Sequence, residues 1–278
     1  MMDFRRINNI SGWTVFVLAT LVYIITVEET ASFWDCGEFI AVSYKLMVPH
    51  PPGAPFYLLV GRIFSFFAMG DVESVAYWIN MVSVLSSGFT ILFLFWTISM
   101  FARKIMNIKP GDVVTPVQTI SIIGASAVGA LAYTFSDSFW FSAVEAEVYA
   151  MSSFFTAFVV WGILKWDLME DESRANRWLI LMAYMMGLSI GVHLLNLVTI
   201  PALGLIYYFK KYETPTKWGI VATLAVSGFI IILINNIIIP GLPTLAGTFE
   251  IMFVNSWGLP FGSGAIFVAA LVIGVLIW

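Results

Sequence analysis

The sequence predicts an all-α, polytopic bundle of membrane helices, and three observations predict it. Hydrophobic residues make up 60% of the 278-residue chain and charged residues only 11%. A soluble domain carries about a quarter of its residues charged to cover a water-facing surface, so lipid must be the main solvent here. Apolar runs recur at 10–27, 53–69, 79–102, 118–135, 147–164, 178–209, 217–235 and 263–278. Lys and Arg fall in clusters between those runs, where they report orientation.

Arg5 and Arg6 place the N-terminus in the cytoplasm. The first run, 10–27, is ~27 Å long as a helix and spans the bilayer. It ends in Glu28-Glu29-Thr30 with no small-residue cleavage pattern, so it reads as a retained helix and not as a signal peptide. Run 53–69 is short and contains Arg62. If it crossed, run 79–102 would deliver Arg103, Lys104 and Lys109 outside. Lying on the outer surface as an amphipathic helix, it lets 79–102 return inward. A second short surface helix opens at Trp34-Asp35-Cys36-Gly37-Glu38-Phe39 and ends near Met47. These two helices make residues 28–78 an interfacial first outer loop.

Runs 118–135 and 147–164 cross out and back. Run 178–209 would be ~48 Å as one helix, too long for a ~30 Å core. Arg174 and Arg177 precede it and Lys210 and Lys211 follow it, so it is expected to be a hairpin turning near Gly191-Val192-His193. Run 217–235 leads to a long outer loop, 236–262, with Glu250, Asn255, Trp257 and several Gly and Pro. Run 263–278 returns. The count is about eight membrane helices with both ends inside. Eleven of the thirteen Lys and Arg are then cytoplasmic, leaving Lys45 and Arg62 outside. The last run stops without a polar flank, so residues 1–278 are expected to form one transmembrane domain at the N-terminal part of a longer protein.

Net charge is −4 and no basic block is present, which argues against nucleic acid as a partner. Membrane lipid is the expected surround. Cys36 is the only cysteine, so no intrachain disulfide forms; it reads as a small buried residue. The aromatic content, 16%, reads as lipid and interface packing.

Ionisable residues near a membrane are costly and are functional candidates by default. Asp35 and Glu38 are spaced i, i+3 and share a helix face. Asp35 also has a plainer reading as a helix N-cap. His50-Pro51-Pro52-Gly53 is a rigid break that cannot be helical at its first proline. Arg62 reads equally as a snorkelling interfacial cation. Glu145 and Glu147, two apart, face different sides. His193, in a turn at membrane depth, needs a partner and is expected to line a cavity.

The first loop, with Trp34-Asp35-x-Gly37-Glu38-Phe39 and His50-Pro51-Pro52-Gly53, resembles that of the GT-C superfamily of membrane glycosyltransferases; with Glu145-x-Glu147-x-Tyr149 and Gly191-x-His193-x-x-Asn196 the pattern resembles one bacterial family along nearly the whole chain. The His-Pro-Pro element after an acidic first loop resembles protein O-mannosyltransferases. The likeness is closer to that bacterial family, whose animal relative is the transmembrane O-mannosyltransferase of plexin-type domains. The resemblance implies a GT-C-like fold in the bacterial inner membrane and an active site on the periplasmic face. It implies transfer of a sugar, mannose by the family's habit, from a polyprenyl-phosphate carrier to a hydroxyl of a protein or glycan acceptor. Many GT-C enzymes carry adjacent acids in this loop, whereas here the spacing is Asp-x-x-Glu.

On that reading Asp35 is the catalytic base, and Glu38 positions it or the acceptor. His50, Lys45, Arg62, Glu145, Glu147, Tyr149, His193 and Asn196 are substrate-binding candidates, with Arg62 or Lys45 facing the phosphate. Attack opposite the leaving group inverts the anomeric centre. Two carboxylates could hold a divalent cation, but nothing in the sequence completes its shell, so no obligatory metal is expected. The rival readings are a lipid or small-molecule transporter, which wants mid-membrane charge and paired repeats, and a non-catalytic subunit of an envelope complex.

Overall fold

A computed structural model describes residues 3–278, all helix, turn and loop. Among the described residues there is no strand, in line with the expected all-α class. The chain divides into two compact units, 1–210 and 211–278.

The first unit contains α1 (Phe4–Thr26), α2 (Cys36–Lys45), α3 (Pro55–Ser65), α4 (Val75–Ile105), α5 (Pro116–Thr134), α6 (Asp137–Ala143), α7 (Val148–Asp167), α8 (Glu172–Ile190) and most of α9 (Ile200–Lys211). Helix α4 is its axis. It packs on α1, α5 and α7, burying Val84, Ile91 and Phe95 in the core they share, and buries Ile79 beside Cys36. Its last turn carries Arg103 and Lys104, which also suit the negative end of the helix dipole.

Hydrogen bonds fix the direction of each crossing. Ser99, near the end of α4, donates to Asn8, near the start of α1, at 2.6 Å. At the other end Asn80 donates to the Glu28 carbonyl at 2.6 Å, and Tyr23 to the Thr134 carbonyl at 2.9 Å. Helices α1 and α4 are therefore antiparallel, which a single crossing between them would forbid. Helices α2 and α3, 10 and 11 residues long, are only ~15–17 Å each. Both lie across the end of the bundle where α1 finishes. Helix α3 buries Tyr57, Leu58 and Gly61 and leaves Leu59 and Ile63 exposed, and the 3₁₀ turn after it exposes Phe66 and Phe67, one face to protein and one apolar face outward. That is the arrangement expected of 53–69.

The cations gather at the opposite end. Arg103 stacks over Phe4, Lys104 pairs with Asp167 at the end of α7, and Lys210 donates to the carbonyls of Trp166 and Met169. The last of these bonds brings the end of α9 back to the level where α8 begins. The run 178–209 is thus broken as expected: α8 stops at Ile190, and a 3₁₀ turn over Leu194–Thr199 precedes α9.

In the second unit the sequence reading needs correction. Residues 236–262 are not a long loop. Helix α10 (Lys217–Leu233) runs into a π-helical turn over 234–238, then α11 (Ile239–Ile251) and a second π turn over 252–256. The 40 residues from Lys217 to Ser256 form one helical run of ~60 Å. The prolines that suggested a loop are accommodated: Pro240 sits in the first turn of α11, and Pro243 follows the wider i→i+5 turn. Helix α12 (Ser263–Ile277) folds back on α11. Glu250 caps it, accepting from the backbone N–H groups of Gly262, Gly264 and Ala265 at 2.5, 2.8 and 3.2 Å.

Among the described residues five helices are long and apolar enough to cross a membrane: α1, α4, α5, α7 and the run 217–256. The expected figure of eight also needs α8, α9 and α12. The antiparallel pairing of α1 and α4 has a direct check. With Cys36 replaced by Ser, single cysteines at Lys45 and Lys109 should react with an impermeant maleimide from opposite sides of sealed vesicles. Labelling of both from one side would refute the arrangement.

Candidate active site

The end of the bundle carrying α2 and α3 is built around three backbone stitches. Asn80, fully buried on α4, donates to the carbonyls of Glu28 and Thr30 at 2.6 and 3.1 Å. The Glu28 N–H donates to the Val144 carbonyl at 2.9 Å. The Ser32 hydroxyl donates to the Glu145 carboxylate. The loop after α1 is so bound to the segment between α6 and α7, and Asp35 and Cys36 follow directly. Cys36 is buried, as its small-residue reading expects, with Sγ 4.0 Å from Asn80 Oδ1.

Asp35 stands at the N-cap position of α2, but its side chain makes no capping hydrogen bond. The plainer role foreseen for it is therefore unused, and its carboxylate is half exposed. The residue before it, Trp34, has φ 59° and is 88% exposed. A bulky side chain in the left-handed region costs about 1–2 kcal/mol, and this strain sits beside the candidate base.

Glu38, one turn on, grips His50 twice. It accepts from the His50 backbone N–H at 2.7 Å and pairs with Nδ1 at 2.8 Å. The far nitrogen, Nε2, lies 4.0 Å from Asp35. The hydrogen-bonded Glu38 holds the imidazole pKa above its ordinary value, and His50 in turn holds Glu38 below the ordinary carboxylate range. The turn that sets His50 in place closes with Gly53 N–H on the His50 carbonyl at 3.0 Å. Gly53 has φ +76°, a conformation that favours glycine.

Beneath this trio lie two buried carboxyls. Glu145 is 2% exposed and Glu147 6%. Burial raises the pKa of both. Glu147 is pushed up to about 7, first by burial and then by the nearby charges of Glu145 and Asp35. Tyr57 of α3 is fully buried, and its hydroxyl has no hydrogen-bond partner. Burial, and then the neighbouring Cys36 and Glu147, push its pKa far upward.

The third strand of the site is the turn after α8. The N–H groups of Phe56 and Tyr57 donate to the Gly191 carbonyl at 2.7 and 3.3 Å, docking α3 on that turn. A Cβ at Gly191 would meet the Phe56 Cβ at 2.9 Å, so only glycine permits the approach. His193 follows, with its ring 5.3 Å from that of Tyr149. Tyr149 and Leu195 stand on the wall of a cavity of about 480 Å³, whose other walls include Tyr133, Thr90, Ser152 and Thr156.

The structure thus gathers Asp35, Glu38, His50, Glu145 and Glu147, and brings Tyr149 and His193 to the same end. Three candidates stand apart. Asn196 is fully buried, donating to Ser189 at 2.9 Å and accepting from Thr156, so it shapes the turn. Arg62 donates to the Tyr44 carbonyl at 2.5 Å, at the far end of α2 from Asp35, and stacks over Phe66. Lys45 lies over the Tyr44 ring at that same end. Ser32, Tyr57, Asn80 and Gly191 support the site and were not among the sequence candidates. Only Asn80 and Gly191 left a signal: a carboxamide inside an apolar run, and a glycine beside a hairpin turn.

Asp35, Glu38 and His50 each offer one ligand atom within 4.8 Å of the others, so this trio is where a divalent cation would sit. Both Glu38 oxygens are already engaged by His50, and a metal would have to displace that pairing.

Fold and site define a class: a multi-pass membrane protein with a cluster of acidic side chains, holding a Glu–His pair, at one end of its helix bundle. The particular family follows from comparison. The family described as Protein O-mannosyl-transferase TMEM260 N-terminal domain matches residues 35–216, and the chain belongs to it. The chain is 25% identical over 146 residues to Protein O-mannosyl-transferase tmem260 of Dictyostelium discoideum, covering 52% of the chain and 16% of that relative. It is 25% identical over 180 residues to Protein O-mannosyl-transferase TMEM260 of Mus musculus, covering 63% of the chain and 22% of that relative. The chain therefore matches less than a quarter of the length of either. No solved structure matches it.

The perturbed acid has a measurable consequence. Glu147 has a folded pKa above its ordinary 4.5, so its stability contribution is full below 4.5 and is lost as pH rises through about 7. A shift of that size corresponds to roughly 3 kcal/mol. Glu147→Gln stays uncharged. Between pH 5 and pH 8 the wild-type melting temperature in detergent should fall more steeply than that of the variant. Parallel profiles would show that Glu147 is not buried as a carboxyl.

Proposed function

We propose that this chain is the membrane-embedded part of a glycosyltransferase. It moves a sugar, mannose, from a polyprenyl-phosphate carrier to a protein Ser or Thr hydroxyl on the non-cytoplasmic face. The observation that carries this reading is the placement of an uncapped carboxylate, Asp35, beside a Glu-bound imidazole, above two buried acids, at the end opposite the cations.

A hydroxyl is a poor nucleophile until a base takes its proton in the transition state. Asp35 takes that proton as the acceptor oxygen forms its bond to the anomeric carbon. The bond from that carbon to the phosphate oxygen breaks, and the electron pair leaves with the phosphate. Attack on the face opposite the leaving group inverts the anomeric centre. Glu38 favours the cationic form of His50 and holds the ring in one orientation, so that when protonated it sets a positive charge 4.0 Å from Asp35 to face the departing phosphate. His193 and Tyr149 contact the sugar. The cavity of about 480 Å³ behind Tyr149 takes the start of the prenyl chain. Arg62 and Lys45, at the far end of α2, are left out of the reacting centre.

The mouse and Dictyostelium relatives are named as protein O-mannosyl-transferases, which supports the choice of sugar and acceptor class. With the protein that contains this chain reconstituted in liposomes, Asp35→Asn should reduce transfer from polyprenyl-phosphate-mannose by at least 10²-fold, the usual scale for a lost base. Expression and insertion should be unchanged. Undiminished turnover removes Asp35 as base, and no turnover by the wild type with any lipid-phosphate sugar favours the transporter reading instead.

A further inference from the structure

A second cavity lies at the opposite end of the first unit, and nothing in the proposed reaction uses it. Its volume is about 730 Å³, between α1, α4, α7 and the loop that links α4 to α5. Arg5, Arg103 and Lys165 line it together with Trp13, Trp96 and Trp161. Among the described residues no carboxylate lies within 4 Å of any of these three cations.

Two acids also reach the lining, and both are engaged by the backbone. Asp3 accepts from the Arg5 N–H at 3.3 Å as the cap of α1. Asp112 accepts from the Lys109 N–H at 2.7 Å. Arg103 is held in place by its own donation to the Lys109 carbonyl at 3.1 Å and by stacking over Phe4 at 5.4 Å. Its Nε is buried and has no partner. Lys165 is held over the Trp161 ring at 4.9 Å. The cavity therefore presents three cations, two of them held in place, that no carboxylate pairs within 4 Å.

We infer that this cavity binds the phosphate headgroup of an anionic phospholipid. Arg and Lys in a recess between membrane helices are the chemistry that retains such headgroups. Trp161 stands within two turns of the end of α7, where tryptophans of bilayer-crossing helices lie at headgroup level, which suits the cavity's depth. From Trp13 the outward face of α1 continues as Val17, Leu18 and Leu21, each about half exposed, an apolar track on which acyl chains can lie. A free phosphate would use the same cations but gain nothing from that track. The site is distinct from the acidic cluster: Asn8 and Ser99 mark its level, whereas Glu28 and Asn80 mark the other.

Native mass spectrometry of the protein that contains this chain tests the inference, with phosphatidylglycerol and phosphatidylcholine of equal chain length as probes. The wild type should retain phosphatidylglycerol at least tenfold better than phosphatidylcholine. The double variant Arg103→Gln/Lys165→Gln should lose that preference, by roughly 30-fold if each cation acts as at an anionic surface. Arg103→Lys/Lys165→Arg, which keeps both charges, should restore most of it. Equal retention by wild type and the double variant overturns the assignment, as does equal retention of the two lipids. Release by millimolar inorganic phosphate, independent of acyl chain length, would assign the cavity to free phosphate and overturn the lipid.

Discussion

The site depends on how one buried carboxamide is satisfied. Asn80 is sealed in the first turns of α4, where lipid and apolar side chains offer no hydrogen bonds. Its two N–H donors take the carbonyls of Glu28 and Thr30, and this turns the chain leaving α1 back onto α4. Everything nearby inherits its position from that turn. Glu28 can then bond Val144, Ser32 can reach Glu145, and Asp35 stands five residues beyond Thr30 at the start of α2. An unpartnered amide there would cost about 1–3 kcal/mol, so the alternatives are poor.

With the loop held, the acids cannot separate, and the structure resolves their repulsion by treating them differently. Glu38 has His50 bonded through side chain and backbone, and its proton affinity is held down. Glu147 has burial and two like charges, and its affinity is driven up. Carboxyls pushed apart in this way can carry opposite protonation states at one pH, which is the condition for acid and base chemistry in a single pocket. The same logic explains why the cluster lies at a helix-bundle end. Deeper in lipid the desolvation would neutralise every acid, and further out water would equalise them.

Much of this was legible in the sequence, for identifiable reasons. Pro51 and Pro52 separated α2 from α3, and the positions of Arg103 and Lys104 required α4 to run against α1. The break at Gly191-Val192-His193 followed from basic residues on both sides of an overlong run. Other features were hidden because they depend on partners far along the chain. Ser32 and Tyr57 look ordinary until Glu145, 113 residues beyond Ser32, and Glu147, far along the chain from Tyr57, are folded over them. The roles of Arg62 and Asn196 were hidden in the same way, since nothing local says that one caps α2 and the other locks Ser189 to Thr156. Residues 236–262 misled for another reason. Proline and glycine mark loops in water, but in lipid a helix with π turns is a cheaper home for the backbone.

The two ends of the first unit also differ in kind. Helix α4, 31 residues and ~46 Å long, separates them. Cations that only set orientation can stay fully hydrated, since the bias acts through loop charge and not through contacts. Lys109 and Arg174 fit that description, being exposed. Arg103 does not, because its Nε is buried and its guanidinium is pinned between a carbonyl and an aromatic ring. Burying part of a guanidinium costs free energy that topology does not require. A charge placed at that cost, beside two others that no carboxylate among the described residues pairs within 4 Å, is what the proposed headgroup would complete.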